Sequence, residues 1–369
     1  MTTDSNDTRR FADRSRQQTP AYAGREGEQS AMDKPDIAAA RQRRSNLRTT
    51  LTWLLRAAIS FGLIFYILWG TEVGEVLAAI RVADLRLILL ALGLQILGAL
   101  IMAMRFGILL AVRDTRPGLA YLFVSTMSAA FFRQFLPSTL GGDALRGYDA
   151  WRAGASKGFA VLALFVDRLL GLAVMTAFAV LAIALFGSDR GDMSGAYRWA
   201  IAGLILVMIA LGLLFYLPAR QKGQLSALAS RLPARLSALA EKLGQIATTF
   251  HGKGGVLAKS AALTLVLQVN VVLFYWVVAQ SLGLEVQFWA FFVIVPVTVL
   301  VMMAPITING IGLREAILVY LLGIWGVSSE LALALAWLEF GITLTLGLIG
   351  GVIFALRPSR SEILSSTQS

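Results

Sequence analysis

The sequence has no cysteine and a single histidine, His251, in 369 residues. Without cysteine the chain can form no disulfide, no thiolate metal site and no cysteine nucleophile. One histidine is too few for a zinc or two-metal centre built on imidazole. The sequence also has no Gly-x-x-x-x-Gly-Lys-Ser/Thr loop, which excludes ATP hydrolysis by that route. We therefore expect no metal, no cofactor and no enzymatic activity, and an intramembrane transferase is disfavoured.

Charge is scarce, and apolar residues run on for tens of positions. Charged residues make up 15% of the chain and hydrophobic residues 57%, whereas a soluble domain carries about 25% charged residues. This composition predicts an all-α, polytopic membrane helix bundle. The formal net charge of +11 is interpreted as loop topology and attraction to anionic lipid, not as nucleic-acid binding.

Six apolar segments have the roughly 20 residues that a membrane helix needs: 51–70, 87–111, 159–187, 197–217, 261–282 and 331–356. Two further apolar segments, 118–155 and 288–325, are interrupted by proline and glycine. Around these spans we predict a disordered cytoplasmic tail over 1–48, a transmembrane domain over 49–357 and a cytoplasmic tail over 358–369. Within the domain, leucines at helical spacing predict an amphipathic helix in a cytoplasmic loop, 218–256, which either lies on the membrane surface or packs on the bundle.

Charge placement decides how the interrupted segments sit. If 118–155 crossed the membrane fully, Arg146, Arg152 and Lys157 would lie outside, against the positive-inside tendency. If 118–155 is a re-entrant hairpin entering from the cytoplasm, and 288–325 one entering from outside, seventeen basic residues of the segments between the spans lie inside and four outside. The inner residues are Arg41, Arg43, Arg44, Arg48, Arg113, Arg116, Arg152, Lys157, Arg220, Lys222, Arg231, Arg235, Lys242, Lys253, Lys259, Arg357 and Arg360, and the outer ones are Arg81, Arg86, Arg190 and Arg198. We therefore predict six full spans and two re-entrant helical hairpins, with both termini cytoplasmic.

The two interruptions resemble each other. With Pro137 set on Pro305, five of ten positions agree without a gap: Pro, Thr, Gly, Leu and Arg. The breaks fall at corresponding places in two halves that begin on opposite sides of the membrane. This arrangement predicts an inverted repeat of the kind that many transporters share.

The breaks also carry most of the charge that is expected at membrane depth. A glycine-rich turn that opens a helix presents free backbone N–H groups to an anion, and a guanidinium suits a phosphate diester because it can bind bidentately. The residues predicted to bind such an anion are Arg146, Arg314, Asp143, Gly141, Gly142, Asn309, Gly310, Gly312 and Glu315. Those predicted to shape the breaks and the polar core are Pro137, Pro305, Asp167, Arg168 and Glu339.

Purely structural roles for these residues remain open. Asp143 and Asn309 are plausible helix N-caps. The charges could pair internally, because an unpaired charge costs about 2.5–3.5 kcal/mol in a membrane. The expected pairs are Asp143 with Arg146, Asp167 with one arginine, and Arg314 with Glu315 or Glu339.

Three motifs in order resemble one known family. They are Phe-Leu-Pro-Ser-Thr-Leu-Gly-Gly-Asp-Ala-Leu-Arg at 135–146, Asp-Arg-Leu-Leu-Gly at 167–171 and Pro-Ile-Thr-Ile-Asn-Gly-Ile-Gly-Leu-Arg-Glu at 305–315. Together they are similar to the transmembrane, flippase-domain family of lysylphosphatidylglycerol synthases, over about residues 50–356. The resemblance implies a flippase-like domain that moves a phospholipid, whereas the aminoacyl-transferase domain of the best-known members is not expected in this chain.

The sequence thus predicts a phospholipid flippase of the prokaryotic cytoplasmic membrane that binds an anionic headgroup at two helix breaks. The alternative is a non-transporting accessory subunit of a lipid- or glycan-modifying enzyme. The polar tail and the amphipathic loop favour that alternative. The predicted partners are phospholipid and membrane, with a lipid-modifying enzyme as a further partner under the alternative.

Overall fold

The computed structural model describes residues 72–135, 141–186, 248–302, 307 and 310–357, together with seven isolated positions between 58 and 69. Of residues 179 and 182–186 it describes the backbone only. The predicted spans 51–70 (apart from those isolated positions) and 197–217, most of the loop 218–256 and both tails lie outside the described residues. All the helices described below belong to one compact unit, Ile59–Ser369.

The described part of the chain is entirely helical, as predicted. Its α-helices are α1 (Val73–Arg81), α2 (Leu85–Leu110), α3 (Leu119–Phe135), α4 (Gly141–Arg152), α5 (Lys157–Phe186), α6 (Gly254–Ser281), α7 (Phe291–Met302), α8 (Leu313–Ile324) and α9 (Ser329–Ala355). Short 3₁₀ turns follow α2, at Ala111–Arg113, and precede α7, at Phe288–Ala290.

Four of the helices, α2, α5, α6 and α9, are long and apolar enough to cross a membrane. They correspond to the predicted spans 87–111, 159–187, 261–282 and 331–356. The chain is therefore a multi-pass integral membrane protein. In contrast, α3 has 17 residues and α4, α7 and α8 have 12 each; at 1.5 Å per residue these helices are about 26 Å and 18 Å long, shorter than the roughly 30 Å hydrocarbon core.

Helices α2 and α6 run antiparallel along their whole length. The backbone N–H of Asp84, before α2, donates to the carbonyl oxygen of Ser281, the last residue of α6, at 2.9 Å. Further along, the Asn270 amide donates to the Leu94 carbonyl oxygen at 3.0 Å. The start of α2 and the end of α6 thus define one end of the bundle, called end A; the end of α2 and the start of α6 define end B.

Helices α3 and α4 form a hairpin whose two outer termini lie at end B. The Tyr121 hydroxyl, near the start of α3, donates to the carbonyl oxygen of Asp149, near the end of α4, at 3.0 Å. The guanidinium of Arg113, just past α2, stacks over the ring of Phe159 at the start of α5, 5.3 Å from its centroid. The last helix ends here too, because Arg357 Nη1 lies 2.9 Å from Asp149 Oδ2.

Helices α7 and α8 form a second hairpin, which opens toward end A. The rings of Trp289, before α7, and Trp325, after α8, are 6.3 Å apart. Residues 282–287 connect α6 to the 3₁₀ turn that precedes this hairpin. After the hairpin the chain continues into α9, which packs beside α1 through Val76 and Leu333. The two hairpins therefore open toward opposite ends of the bundle.

Close helix contacts fix the first hairpin against its neighbours. A Cβ on Gly142 of α4 would lie 2.5 Å from the carbonyl oxygen of Ala129 on α3, and a Cβ on Gly350 of α9 would collide with the carbonyl oxygen of Met127. Small residues of this kind let backbones approach inside a membrane, where association depends on packing. Helix α3 is thus held between α4 and α9 at backbone contact.

We expect Gly350→Ala to destabilise the protein by about 1–3 kcal/mol, the usual cost of forcing extra volume into a packed interior. Thermal unfolding in detergent measures the effect. Gly341→Ala is the matched control on the same helix, because a Cβ at Gly341 meets nothing within 4 Å. Equal melting temperatures for the two variants would contradict the close α3–α9 contact.

The hairpin arrangement predicts which positions label from the same side of the membrane. The chain contains no background cysteine, so single cysteines report cleanly. Cysteines placed at Gly118 and Lys157, both exposed at end B, should react with an impermeant maleimide from one side. Cysteines placed at Gln287 and Ser329, at end A, should react from the other. Labelling of Gly118→Cys and Lys157→Cys from opposite sides would refute the first hairpin.

Candidate functional site

Three helices bring buried charges together beside the first hairpin. Asp143 and Arg146 come from α4, Asp167 and Arg168 from α5, and Arg105 from α2. These five residues are called the first cluster. They form an alternating chain of ion pairs in which each aspartate lies between two arginines.

Asp167 is the more deeply buried aspartate of this chain, with its side chain 3% exposed. Its Oδ1 accepts a hydrogen bond from Arg105 Nε at 2.6 Å, and its Oδ2 lies 3.3 Å from Arg146 Nη1. The Nη1 of Arg105 also donates to Thr264 Oγ1 on α6, at 3.0 Å. A carboxylate buried at this depth is stabilised only when its charge is matched, and here two guanidinium groups match it.

Asp143 continues the chain toward the surface. One oxygen lies 3.7 Å from Arg146 Nη1, and the other accepts a short hydrogen bond from Arg168. The Arg168 side chain is 48% exposed, so the cluster reaches the surface on this side. The pairing of Asp143 with Arg146 and of Asp167 with an arginine, both expected from the sequence, is confirmed.

Arg146 has more donors than the described residues satisfy. The residue is 2% exposed, and its guanidinium lies over the Phe106 ring at 4.5 Å. Its Nε and Nη2 are buried and have no hydrogen-bond partner among the described residues. A buried donor without a partner costs about 1–3 kcal/mol, and more when it is charged. An anion that reached Arg146 would recover that free energy.

Arg133, near the end of α3, adds a further positive charge. It interacts electrostatically with Asp143, Asp167, Arg146 and Arg168. Within the ranges that the structure describes, no ion pair joins Arg133 to a carboxylate. Counted with the first cluster, it makes four arginines against two aspartates, a formal charge of +2.

A second cluster lies where α8 meets α9. Arg314 Nη2 donates to Glu315 Oε1 at 2.6 Å, and Arg314 Nη1 lies 3.0 Å from Glu339 Oε2. The three residues are 5%, 4% and 7% exposed. The guanidinium also lies over the Phe340 ring at 4.8 Å. Arg314 thus pairs with both carboxylates that the sequence offered as alternatives.

The charge of the second cluster has the opposite sign. One arginine faces two glutamates, which leaves a formal charge of −1. Glu339 Oε1 accepts a hydrogen bond from Thr343 at 3.1 Å, and Thr343 accepts one from Gln95 of α2 at 3.2 Å. Glu339 Oε2 is buried, and its contact with Arg314 lies outside hydrogen-bonding geometry.

Two details of the breaks differ from expectation. Helix α4 begins at Gly141, so Asp143 lies inside its first turn and is not its N-cap, and Arg146 lies in the second turn. The N-cap position of α8 is Gly312, with φ +83°, and its N–H donates to Glu315 Oε2 at 2.6 Å. The glutamate side chain therefore satisfies a helix-start donor that was expected to be free for an anion.

The structure brings the predicted residues into two groups. Gly141, Gly142, Asp143, Arg146, Asp167 and Arg168 lie at the first cluster, and Gly310, Gly312, Arg314, Glu315 and Glu339 at the second. Gly310 has φ +77°, a conformation that glycine adopts without strain. Pro137, Pro305 and Asn309 lie outside the described residues.

Sequence reasoning missed Arg105, Arg133, Thr264, Gln95 and Thr343. Arg105 and Arg133 carried a usable signal, because each is a single charge inside a long apolar segment, where an ionisable residue usually marks a functional or paired position. The uncharged residues gave no such signal. They join the clusters only because distant helices pack together.

Residues 53–351 match the family described as the Lysylphosphatidylglycerol synthase TM region. The chain belongs to this family. The match contains both hairpins and both charged clusters, so they are part of the family region of the chain. A comparison with curated proteins found no match.

We expect Arg314→Gln to destabilise this family member by about 3–5 kcal/mol, because it leaves Glu315 and Glu339 buried without a cation. The double variant Arg314→Gln/Glu339→Gln should recover part of the loss, since it removes one of the two orphaned charges. Thermal unfolding in detergent compares the variants. Equal destabilisation of the single and double variants would contradict the charge balance of the second cluster.

Arg146→Gln serves as the matched comparison in the first cluster. There Asp143 keeps Arg168 and Asp167 keeps Arg105, so no carboxylate loses its last cation. This variant should unfold at a temperature closer to that of the wild type than Arg314→Gln does.

Proposed function

We propose that the protein is a phospholipid translocase of the prokaryotic cytoplasmic membrane, with an anionic headgroup bound at the first cluster. The observation that carries the proposal is Arg146, whose two buried donors lack partners among the described residues. The first cluster and Arg133 together have a formal charge of +2. Common phospholipids carry a phosphodiester in the headgroup region, and this anion fits the forked donors of a guanidinium. Membership of the family is consistent with a membrane-embedded role next to lipid.

The proposed position of the two hairpins within the membrane supports a transport role. In the proposed topology both hairpins are re-entrant. The helix ends at Phe135 and Gly141 and the irregular backbone at 310–312 then lie within the hydrocarbon region. Irregular backbone at membrane depth is tolerated only inside protein or next to a water-filled cavity. Because the hairpins open toward opposite ends, we propose that they are the equivalent elements of an inverted repeat, as in many transporters.

Basic residues support the orientation. Of the described lysines and arginines outside the clusters, those at end B are Arg113, Arg116, Arg152, Lys157, Lys253, Lys259 and Arg357, and those at end A are Arg81 and Arg86. The positive-inside tendency makes end B cytoplasmic. The first hairpin then enters from the cytoplasm, and the second enters from outside.

The proposed path begins at Arg168, the half-exposed arginine of the first cluster. A headgroup phosphate would meet Arg168 and then Arg146, whose weak 3.7 Å contact with Asp143 is the easiest pairing to replace. Binding one negative charge brings the first cluster and Arg133 together from +2 to +1. The bound phosphate is then neutralised by protein while the acyl chains stay in lipid, which lowers the cost of moving a charge through the bilayer.

The accessory-subunit alternative rests on the tail 1–48 and the loop 218–256. Those segments lie outside the described residues, except for 248–256, and no described contact favours the alternative. It predicts that the purified chain moves no lipid in liposomes and co-purifies with an enzyme that depends on it.

The proposal predicts that Arg146→Gln slows lipid translocation by at least about tenfold, because hydrogen bonds to a charged group contribute about 1.5–3 kcal/mol. Purified protein is reconstituted with a panel of fluorescent lipids that differ in headgroup, and dithionite quenching reports their transfer between leaflets. A zwitterionic and an anionic phosphodiester lipid test the headgroup, and a diacylglycerol lacking phosphate should not respond to the substitution.

Arg152→Gln is the control for this experiment. Arg152 lies on the same helix, is exposed and stacks near Tyr148, so its loss removes the same charge without touching the cluster. Wild-type rates in Arg146→Gln, at an unchanged melting temperature, would overturn the assignment of Arg146.

A further inference from the structure

The second cluster has a formal charge of −1, and phosphate binding at the first cluster leaves that charge uncompensated. We propose that Glu339 is a proton-binding site, and that the protein exchanges one proton across the membrane for each lipid it moves. This inference rests on the proposed translocase function and adds its source of energy. The proton is taken from water on one side, held as the neutral carboxylic acid of Glu339, and released to water on the other.

Charge balance requires a cation at the second cluster. Arg314 neutralises one carboxylate, and the other remains as a buried negative charge among apolar helices. Two carboxylates that share one counter-charge do not both ionise readily, because like charges repel strongly at low dielectric. One added proton makes the cluster neutral.

Hydrogen bonding assigns the proton to Glu339 and not to Glu315. Both oxygens of Glu315 accept hydrogen bonds, one from Gly312 N–H and one from Arg314, each at 2.6 Å. Neither oxygen of Glu315 is therefore left without a hydrogen-bond donor. Glu339 has one well-formed hydrogen bond, from Thr343, and its buried Oε2 has none among the described residues.

Thr343 can serve both states of Glu339 without moving. Its hydroxyl rotates freely, so it donates to Oε1 of the carboxylate and accepts from Oε1–H of the carboxylic acid at the same heavy-atom distance. Gln95 donates to the same hydroxyl oxygen from α2. The contact at 3.1 Å therefore fits a group that gains and loses a proton.

The other groups around Glu339 define its surroundings. The titratable residues that interact with it are Arg314 and Glu315 of α8 and Tyr275 of α6. In the described parts of α2 and α3, which also pack on α9, only the neutral Gln95 reaches its immediate hydrogen-bond network. A sodium ion is less suited to the site than a proton, because it needs several free oxygens, and among the described residues the cluster leaves one, Glu339 Oε2.

The experiment uses the full chain in proteoliposomes with a fluorescent phospholipid, a pyranine dye inside and the membrane potential clamped at zero by potassium and valinomycin. With one proton per lipid, a transmembrane difference of one pH unit should shift the steady-state ratio of lipid between the leaflets by about tenfold. The pyranine signal should change together with lipid transfer. In Glu339→Gln the ratio should stay near one, and the dye should not respond.

Glu330→Gln is the matched control, because Glu330 lies in the first turn of the same helix, away from the cluster. It should keep the tenfold ratio. Glu339→Gln should remain folded, since it leaves Arg314 and Glu315 as a balanced pair, and its melting temperature checks this.

The outcomes separate this inference from the function on which it rests. Lipid transfer by the wild type with a ratio near one at every pH gradient would overturn proton exchange and leave the translocase intact. A ratio that follows a sodium gradient instead would overturn it in favour of sodium. Absence of any lipid transfer would overturn the translocase function. In that case an infrared band of a protonated carboxyl group that is lost in Glu339→Gln would still support the proton site. Absence of that band would overturn the proton site as well.

Discussion

The ion pairs of Asp167 are the interaction on which the first half of the described bundle depends. A carboxylate in the middle of a membrane helix has no water to solvate it, so its counter-charges must come from other helices. Arg105 reaches it from α2 and Arg146 from α4, and Arg105 continues to Thr264 on α6. One buried charge thereby ties four helices together. Among them is α4, which at 12 residues is too short to cross a membrane.

The two hairpins share a sequence pattern but not a charge. Arg146 and Arg314 occupy the same position in the ungapped match, yet one lies in a cluster with excess arginine and the other in a cluster with excess glutamate. The local backbone differs, because Arg146 is the sixth residue of α4 and Arg314 the second residue of α8. The partners from α5 and α9 give each arginine a different charge environment. The cluster with excess arginine suits an anion, and the cluster with excess glutamate suits a proton. The proposed function therefore gives the two halves different roles, although the sequences of their breaks resemble each other.

Much of the fold follows from local features of the sequence. Bilayer thickness sets the length of an apolar run, so the spans containing α2, α5, α6 and α9 could be predicted, and proline and glycine marked the breaks. Asp143 and Arg146 are three residues apart on one helix, so their pairing could also be predicted from the sequence. The link between Arg105 and Asp167 spans 62 positions and depends on how α2 packs on α5, which periodicity does not encode. Asp143 is not the N-cap that was considered for it, because α4 already begins at Gly141, where Gly142 packs on Ala129. Its carboxylate instead pairs with Arg146 and Arg168.

The backbone contact at Gly350 has a mechanical consequence. Side chains can change rotamer to let two helices slide, but two backbones in contact offer no such slack. Moving α3 against α9 would therefore require a backbone shift and not side-chain rotation alone. The same α9 carries Glu339, eleven positions before Gly350 and bound to α8 through Arg314. Both hairpins therefore contact one helix, α9: the first through the backbone at Gly350 and the second through the ion pair of Arg314 with Glu339.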